Sequence, residues 1–166
     1  AQFEIIVNSA EKLTKNGGDT ADILFCANFG EEKQSLSKII SGGELSRVAL
    51  AIKTNSAWKS ASTMVFDEID TGLGGVTAKI VAEAIKKVAK GRQVLCITHL
   101  AQIASMADVH LQIKKTEIEG RTITEVQKLD VSARIKEIAR MASGEESFVS
   151  IKNASEMISS AKRFKS

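Results

Sequence analysis

The sequence has no proline, no tyrosine and one tryptophan, Trp58, in 166 residues. With so few aromatic rings there is no evident platform for stacking bases, so any nucleic-acid contact is expected to be electrostatic, salt-sensitive and indifferent to sequence. Cysteine is scarce too. Cys26 and Cys96 both lie in apolar runs, ILFCANF and VLCITH, and read as buried reduced thiols of a reducing cytosol rather than a disulfide or a metal site. No apolar run approaches the roughly 20 residues that cross a bilayer, and no signal-peptide pattern opens the sequence, so no membrane association is expected. Charge of one sign is also lacking: 23 Lys and Arg against 20 Asp and Glu leave +3, which permits a local basic patch without demanding one. Finally, nothing reads G-x-x-x-x-G-K-[ST], so the loop that cradles nucleotide phosphates is not encoded in these residues.

What remains is the composition of an ordinary folded chain, 43% hydrophobic and 26% charged, and residues 1–166 are expected to form a single domain. QFEIIV and ADILFCANF, separated by the turn-forming NGGD, predict a β-rich start. The polar GEEKQSLSK reads as a loop. Leu45, Val48, Ala49 and Ile52 recur at helical spacing, and STMVF reads as a short buried strand. Val76, Ile80, Val81, Ala84, Ile85 and Val88 then share a helical face that Gly91 ends. QVLCIT reads as the next strand, LAQIASMA as a short helix, and VHLQIKK with RTITEVQKL as an antiparallel hairpin. The tail is helical, with one apolar face of Val131, Ile135, Ile138 and Ala139 and another of Phe148, Ile151, Ala154, Ile158 and Ala161. Alternating strands and helices between residues 40 and 110 imply an α/β fold, a parallel sheet covered by helices.

Three polar motifs border the apolar runs. In FDEID a strand delivers Asp67 and Glu68 to its carboxyl edge, where ligands of open α/β sheets bind. Neighbouring strand residues face opposite ways, so the two carboxylates suit separate tasks: Asp67 beside a magnesium ion and Glu68 beside an attacking water. The alternative is a strand end with solvated acids. In SGGELSR, the Ser41 hydroxyl and the backbone of Gly42 and Gly43 suit an anion at a helix amino terminus. Equally, Ser41 and Glu44 have the spacing of a capping box. THL puts Thr98 and His99 at the edge reached by Asp67 and Glu68, where an imidazole can donate to a phosphate oxygen. His110, inside VHLQI, has only a packing reading.

In this order the motifs resemble the carboxyl-terminal lobe of the ABC-type ATPase heads of SMC-like proteins, a P-loop NTPase-like fold. FDEIDTGLGG, ITHLAQIASMADVHLQIKK and ARIKEIARMASG are similar, more narrowly, to the bacterial double-strand-break repair members of that family. The resemblance runs from about residue 20 to 160. It implies a signature at Ser41 to Arg47, a Walker B strand at Met64 to Glu68, a D-loop at Thr71 to Gly74 and a switch histidine at His99. It further implies ATP and Mg2+ held between two heads that meet head to head. Ser41, Gly42, Gly43 and Glu44 would then act on nucleotide held by the partner head, Asp67 on the metal, and Glu68 and His99 in catalysis. Asp70 and Thr71 would belong to the subunit-crossing, nucleotide-binding loop, and Arg47 would be a structural or coupling residue of the signature helix rather than a direct ligand.

The resemblance has departures. Gly74 stands where many ABC heads carry Asp, and Ala101 and Phe29 stand where proline is usual; each change loosens the local backbone. The amino-terminal lobe with its P-loop, and the coiled coil, have no counterpart in these residues. The expectation is therefore half of an ATPase: a cytoplasmic, bacterial lobe for DNA repair and recombination, partnered by the P-loop lobe, a second head and, non-specifically, DNA. Lys114, Lys115, Arg121, Lys162, Arg163 and Lys165 are the candidate basic contacts, with a solvated face as the plainer reading. Alternatives are a non-catalytic module docking on an ATPase partner, or the lobe of another SMC-like head. An isolated lobe is expected to expose an apolar face that the other lobe would cover.

Overall fold

In the computed structural model, the described residues are 2–15, 17–26, 30, 32–38, 42–55, 63–118 and 120–164. Ser41, Phe29, Trp58 and Lys165, singled out above, lie outside them. By contacts the chain divides into two compact units, Ala1–Leu45 and Ser46–Ser166, with the boundary inside the first α-helix.

The first unit is antiparallel. Strand β1 (Gln2–Thr14) pairs with β2 (Gly17–Cys26), and β2 pairs with the two-residue β3 (Gln34–Ser35). Gly17 has φ +112, a left-handed backbone that glycine adopts without the clash of a Cβ, and it closes the hairpin opposite Thr14. GEEKQSLSK, expected as a loop, contributes β3 and a 3₁₀ turn, Leu36–Lys38. A two-residue strand is too short to show apolar periodicity, which explains why the pattern hid it. Lys33 Nζ bonds Glu4 Oε2 at 2.6 Å, and Cys26 is buried.

Helix α1 (Gly42–Asn55) crosses the boundary and leads to β4 (Thr63–Phe66). From there the chain runs through α2 (Gly75–Val88), β5 (Gln93–Cys96), α3 (Ala101–Met106), the hairpin β6 (Leu111–Ile118) and β7 (Arg121–Lys128), α4 (Val131–Ser143) and α5 (Phe148–Arg163). β4 and β5 are parallel, with Thr63 opposite Gln93 and Phe66 opposite Cys96. A parallel pair requires a crossover, and α2 supplies it.

Two apolar clusters hold this unit. Leu50, Phe66, Ile69, Val81, Ala82, Val88 and Ile103 form the first, under one face of the parallel pair. Ala101, Ala104, Ile138, Ala139, Ala154 and Ile158 form the second, among α3, α4 and α5. Helix α3 contributes to both. The other face of the parallel pair is exposed at Val65, Leu95 and Ile97, so the strands expected to be wholly buried are buried only on alternate residues, as the pleat dictates.

The helical faces also differ from expectation at their edges. In α2 the buried positions are Ala78, Val81, Ala82 and Val88, while Val76 and Ile80 are exposed. Small Ala78 and Ala82 let the helix sit close to the core and rotate the larger side chains outward. Val131 and Phe148 are likewise exposed, because each opens its helix beyond the packed stretch. The tail helices carry defined ends. Asp130 accepts from Ala133 N at 2.8 Å, Gly144 stops α4 in the left-handed region, and Ser147 and Ser150 form a reciprocal cap on α5.

This packing separates two substitutions that the sequence pattern treats alike. Ile138 is fully buried and Phe148 is 86% exposed. Ile138→Ala is expected to lower unfolding free energy by about 2–5 kcal/mol, and Phe148→Ala to change it by less than about 0.5 kcal/mol. Urea unfolding midpoints measure both.

Candidate functional site

The parallel pair ends at one edge, and both strands hand the chain to polar residues there. Ile97 N donates to Phe66 O at 3.0 Å, extending the ladder one step past β5. Beyond Phe66 come Asp67 and Glu68, both exposed; beyond Ile97 come Thr98 and His99. Glu68 has φ +54. A non-glycine residue is held in the left-handed region only when its surroundings over-determine it, and such strain gathers at functional sites.

The chain after Glu68 folds into two successive turns, with Thr71 N bonded to Glu68 O and Leu73 N to Asp70 O, each at 3.1 Å. Gly72 has φ +72, as the second turn requires. Gly74 is the amino-terminal cap residue of α2, with φ −86, so this departure from the family pattern needs no glycine geometry. Within the turns Ile69 and Asp70 face inward, fully and almost fully buried, whereas Thr71 is exposed.

Asp70 is the centre of the cluster. Its Oδ2 accepts from Thr98 Oγ1 at 2.5 Å and from His99 N at 2.8 Å, and it lies 3.1 Å from His99 Nδ1. Burial alone would raise this carboxyl; the bonds from Thr98 and His99, with the charge of the His99 ring, outweigh it and hold the group below its ordinary value of 3.8. Thr98 Oγ1 also accepts from Leu100 N at 3.0 Å, fixing the entry to α3.

A second set of bonds comes from α1. Ser46 Oγ donates to Asp67 O at 3.2 Å. Arg47 Nη1 donates to Ile69 O at 3.2 Å and to Thr71 O at 3.0 Å. The turn's carbonyls thus find donors on a helix side chain, and their positions are set by it. Arg47 was expected to be structural and is seen to staple this turn. Ser46 escaped the sequence reading, since a helical serine carries no pattern that names its partner. Gly42, Gly43 and Glu44 form the first turn of α1.

Cys96, half-buried beneath the edge, has its thiol pushed up to about 11, first by burial and then by the charges of Asp70 and Asp67. It is a packing residue. His110 lies elsewhere, its basicity lowered by burial and by Arg134. Among the described residues no group of three His, Cys, Asp or Glu assembles that would hold a metal unaided, and no helix is long and apolar enough to cross a membrane.

Comparison with curated proteins finds RecN sequences. The chain is 50% identical over 136 residues to the DNA repair protein RecN of Bacillus subtilis, a match covering 81% of this chain and 24% of that protein. It is a RecN-like sequence. RecN of Treponema pallidum is 44% identical over 149 residues, covering 89% of this chain and 26% of the relative. RecN of Deinococcus radiodurans is 42% identical over 158 residues, covering 95% and 28%. The chain therefore spans about a quarter of the length of the curated relatives it matches, in their carboxyl-terminal region. Among solved structures, an Smc head domain with coiled coil and joint from Pyrococcus yayanosii superposes with TM-score 0.54 at 24% identity, covering 82% of this chain and 25% of that one. An Smc head bound to the carboxyl-terminal winged-helix domain of ScpA gives TM-score 0.50 at 26% identity, covering 78% and 38%. The fold is thus that of an SMC head lobe. No protein-family profile matches the chain.

The Asp70 cluster has a measurable acid signature. Because the folded carboxyl lies below 3.8, its contribution to stability is fully present above that value and is lost as pH falls through the lower, folded one. Asp70→Asn is expected to flatten the stability profile in that acid window. Thermal melts of both proteins at a series of pH values between roughly 2 and 6 measure it.

Proposed function

We propose that the chain is the carboxyl-terminal lobe, residues 1–166 as one functional unit, of a RecN-like ATPase acting in DNA double-strand-break repair and recombination. The observation that carries this reading is the convergence of Asp67, Glu68, Thr98 and His99 on one strand edge, in a sequence half identical to a RecN segment.

In this reading ATP lies between two heads, its phosphates held by a P-loop supplied by the amino-terminal lobe. Exposed Glu68 holds and polarises the attacking water as general base. His99 meets the γ-phosphate. Ser41, Gly42, Gly43 and Glu44 bring the amino end of α1 to nucleotide bound by the partner head, and Thr71 extends the exposed turn toward it. Asp67 fits a magnesium ion in its chemistry: the ion commonly takes one or two protein carboxylates and completes its shell with phosphates and water, and Asp67 is a single accessible one. Bound there, the metal would neutralise phosphate charge.

Opening and closing of the head pair with hydrolysis would regulate the holding of broken DNA ends by the complete protein in the bacterial cytoplasm. Exposed Lys114, Lys115 and Arg121 on the β6–β7 hairpin suit non-specific phosphate contact.

The chain alone is expected to show no magnesium-dependent ATP turnover, and turnover is expected on adding the P-loop-bearing lobe. Glu68→Gln should then reduce kcat by about 10²–10⁴-fold, the usual worth of a general base. A stable complex with no turnover, or turnover indifferent to Glu68→Gln, would instead identify a docking module.

A further inference from the structure

His99 and Asp70 are paired unequally. The carboxylate is 3% exposed and the imidazole 73% exposed. Nδ1 of the ring lies 3.1 Å from Asp70 Oδ2, while the same oxygen holds the His99 backbone N at 2.8 Å and the Thr98 hydroxyl at 2.5 Å. A single buried atom thereby holds the main chain of His99 and faces its ring. Thr98, through Leu100 N, carries the restraint into the first turn of α3.

The choice of nitrogen has a chemical consequence. A ring nitrogen beside a carboxylate oxygen carries a proton, because two lone pairs facing one another repel. The neutral ring is then the Nδ1–H tautomer, whose Nε2 accepts. An N–H bond from Nε2 to an anionic oxygen requires the imidazolium, with Nδ1–H still on Asp70. The second nitrogen's partner fixes which role the first can play.

We propose that Asp70 is a positioning residue, which fixes the tautomer and orientation of His99 so that the ring meets a phosphoryl oxygen through Nε2. This rests on the reading of the site as an ATPase edge, and it gives Asp70 a task other than touching nucleotide. The turn that Asp70 belongs to is also the turn stapled by Arg47 through the carbonyls of Ile69 and Thr71. The signature helix, the turn and the switch histidine are thereby joined by two side chains, so a shift in one is felt at the others.

Nitrogen-15 NMR of the imidazole tests the tautomer directly in this chain, with His99→Gln identifying its signals apart from those of His110. In its neutral form, His99 is expected to show a protonated Nδ1 and an unprotonated Nε2. Thr98→Val, which keeps the ring contact, should preserve that pattern, and Asp70→Ala should release the ring to both tautomers. A wild-type ring protonated at Nε2, or a folded Asp70→Ala chain with an unchanged ring, would overturn the proposal. If Asp70→Ala does not fold, the wild-type spectrum alone decides.

Turnover with the P-loop lobe supplies the second readout. Asp70→Ala and His99→Ala should each lower kcat on the order of 10²-fold with KM nearly unchanged, and the double variant should lose little more. Asp70→Asn, which keeps an acceptor oxygen, should recover part of the rate. A rise in KM with kcat preserved in Asp70→Ala would make Asp70 a nucleotide ligand and overturn the positioning role. The expected tautomer together with full turnover in His99→Ala would support the tether and overturn the role given to the ring at the phosphoryl oxygen.

Discussion

One buried carboxylate oxygen organises the edge at which the parallel strands end. Oδ2 of Asp70 receives a hydroxyl and a main-chain N–H, and faces a ring nitrogen, from two consecutive residues of the other strand's end. Beyond the last ladder bond, from Ile97 to Phe66, nothing in the strands themselves would keep the two chain exits in register. A charge placed there is costly unless every donor is in position. The demand works in both directions: the donors keep the carboxylate ionised, and the carboxylate keeps the donors in place. Loss of any one partner leaves the others poorly satisfied, which is how a loop becomes as well determined as a strand.

The neighbouring side of the edge follows the same logic with opposite polarity. There the backbone carbonyls of Asp67, Ile69 and Thr71 are the acceptors, and Ser46 and Arg47 of α1 are the donors. Arg47 suits the task because its planar, always-charged fork can serve two carbonyls at once. Between these anchors sits Glu68 with its left-handed backbone. An isolated turn would relax that conformation; one held on both flanks can sustain it, and the side chain is aimed accordingly.

Much of this was legible from residue order, and the reasons for the rest are physical. The α/β succession from residue 40 onward, the parallel pair and the β6–β7 hairpin all follow from period and turn chemistry, because those signals are local. The convergence of Asp67, Glu68 and His99 at one edge was legible too, since two adjacent parallel strands deliver their succeeding residues to the same side. Side-chain-to-backbone bonds across about 20 residues or more were not, because Ser46 and Arg47 look like any polar residues of an amphipathic helix. Nor could the pattern tell Ile138 from Phe148 or Val81 from Val76: periodicity gives the direction of a face, and the depth at each point depends on what packs opposite. The inward turn of Asp70 was hidden for a related reason, as an acidic residue in a polar motif reads as exposed until its donors are known.

Helix α3 is six residues long, too short to hold together by its own hydrogen bonds. Its order is borrowed. Ile103 belongs to the apolar cluster beneath the parallel strands, and Ala101 and Ala104 to the one built by the tail helices. Arg134 of α4 grips its far end, donating to the carbonyls of Ala104, Ser105 and Ala107. Its near end begins two residues after His99. The tail, distant from the strand edge, is therefore part of the mounting of His99. A substitution that loosens the tail helices would therefore reach His99 without touching it.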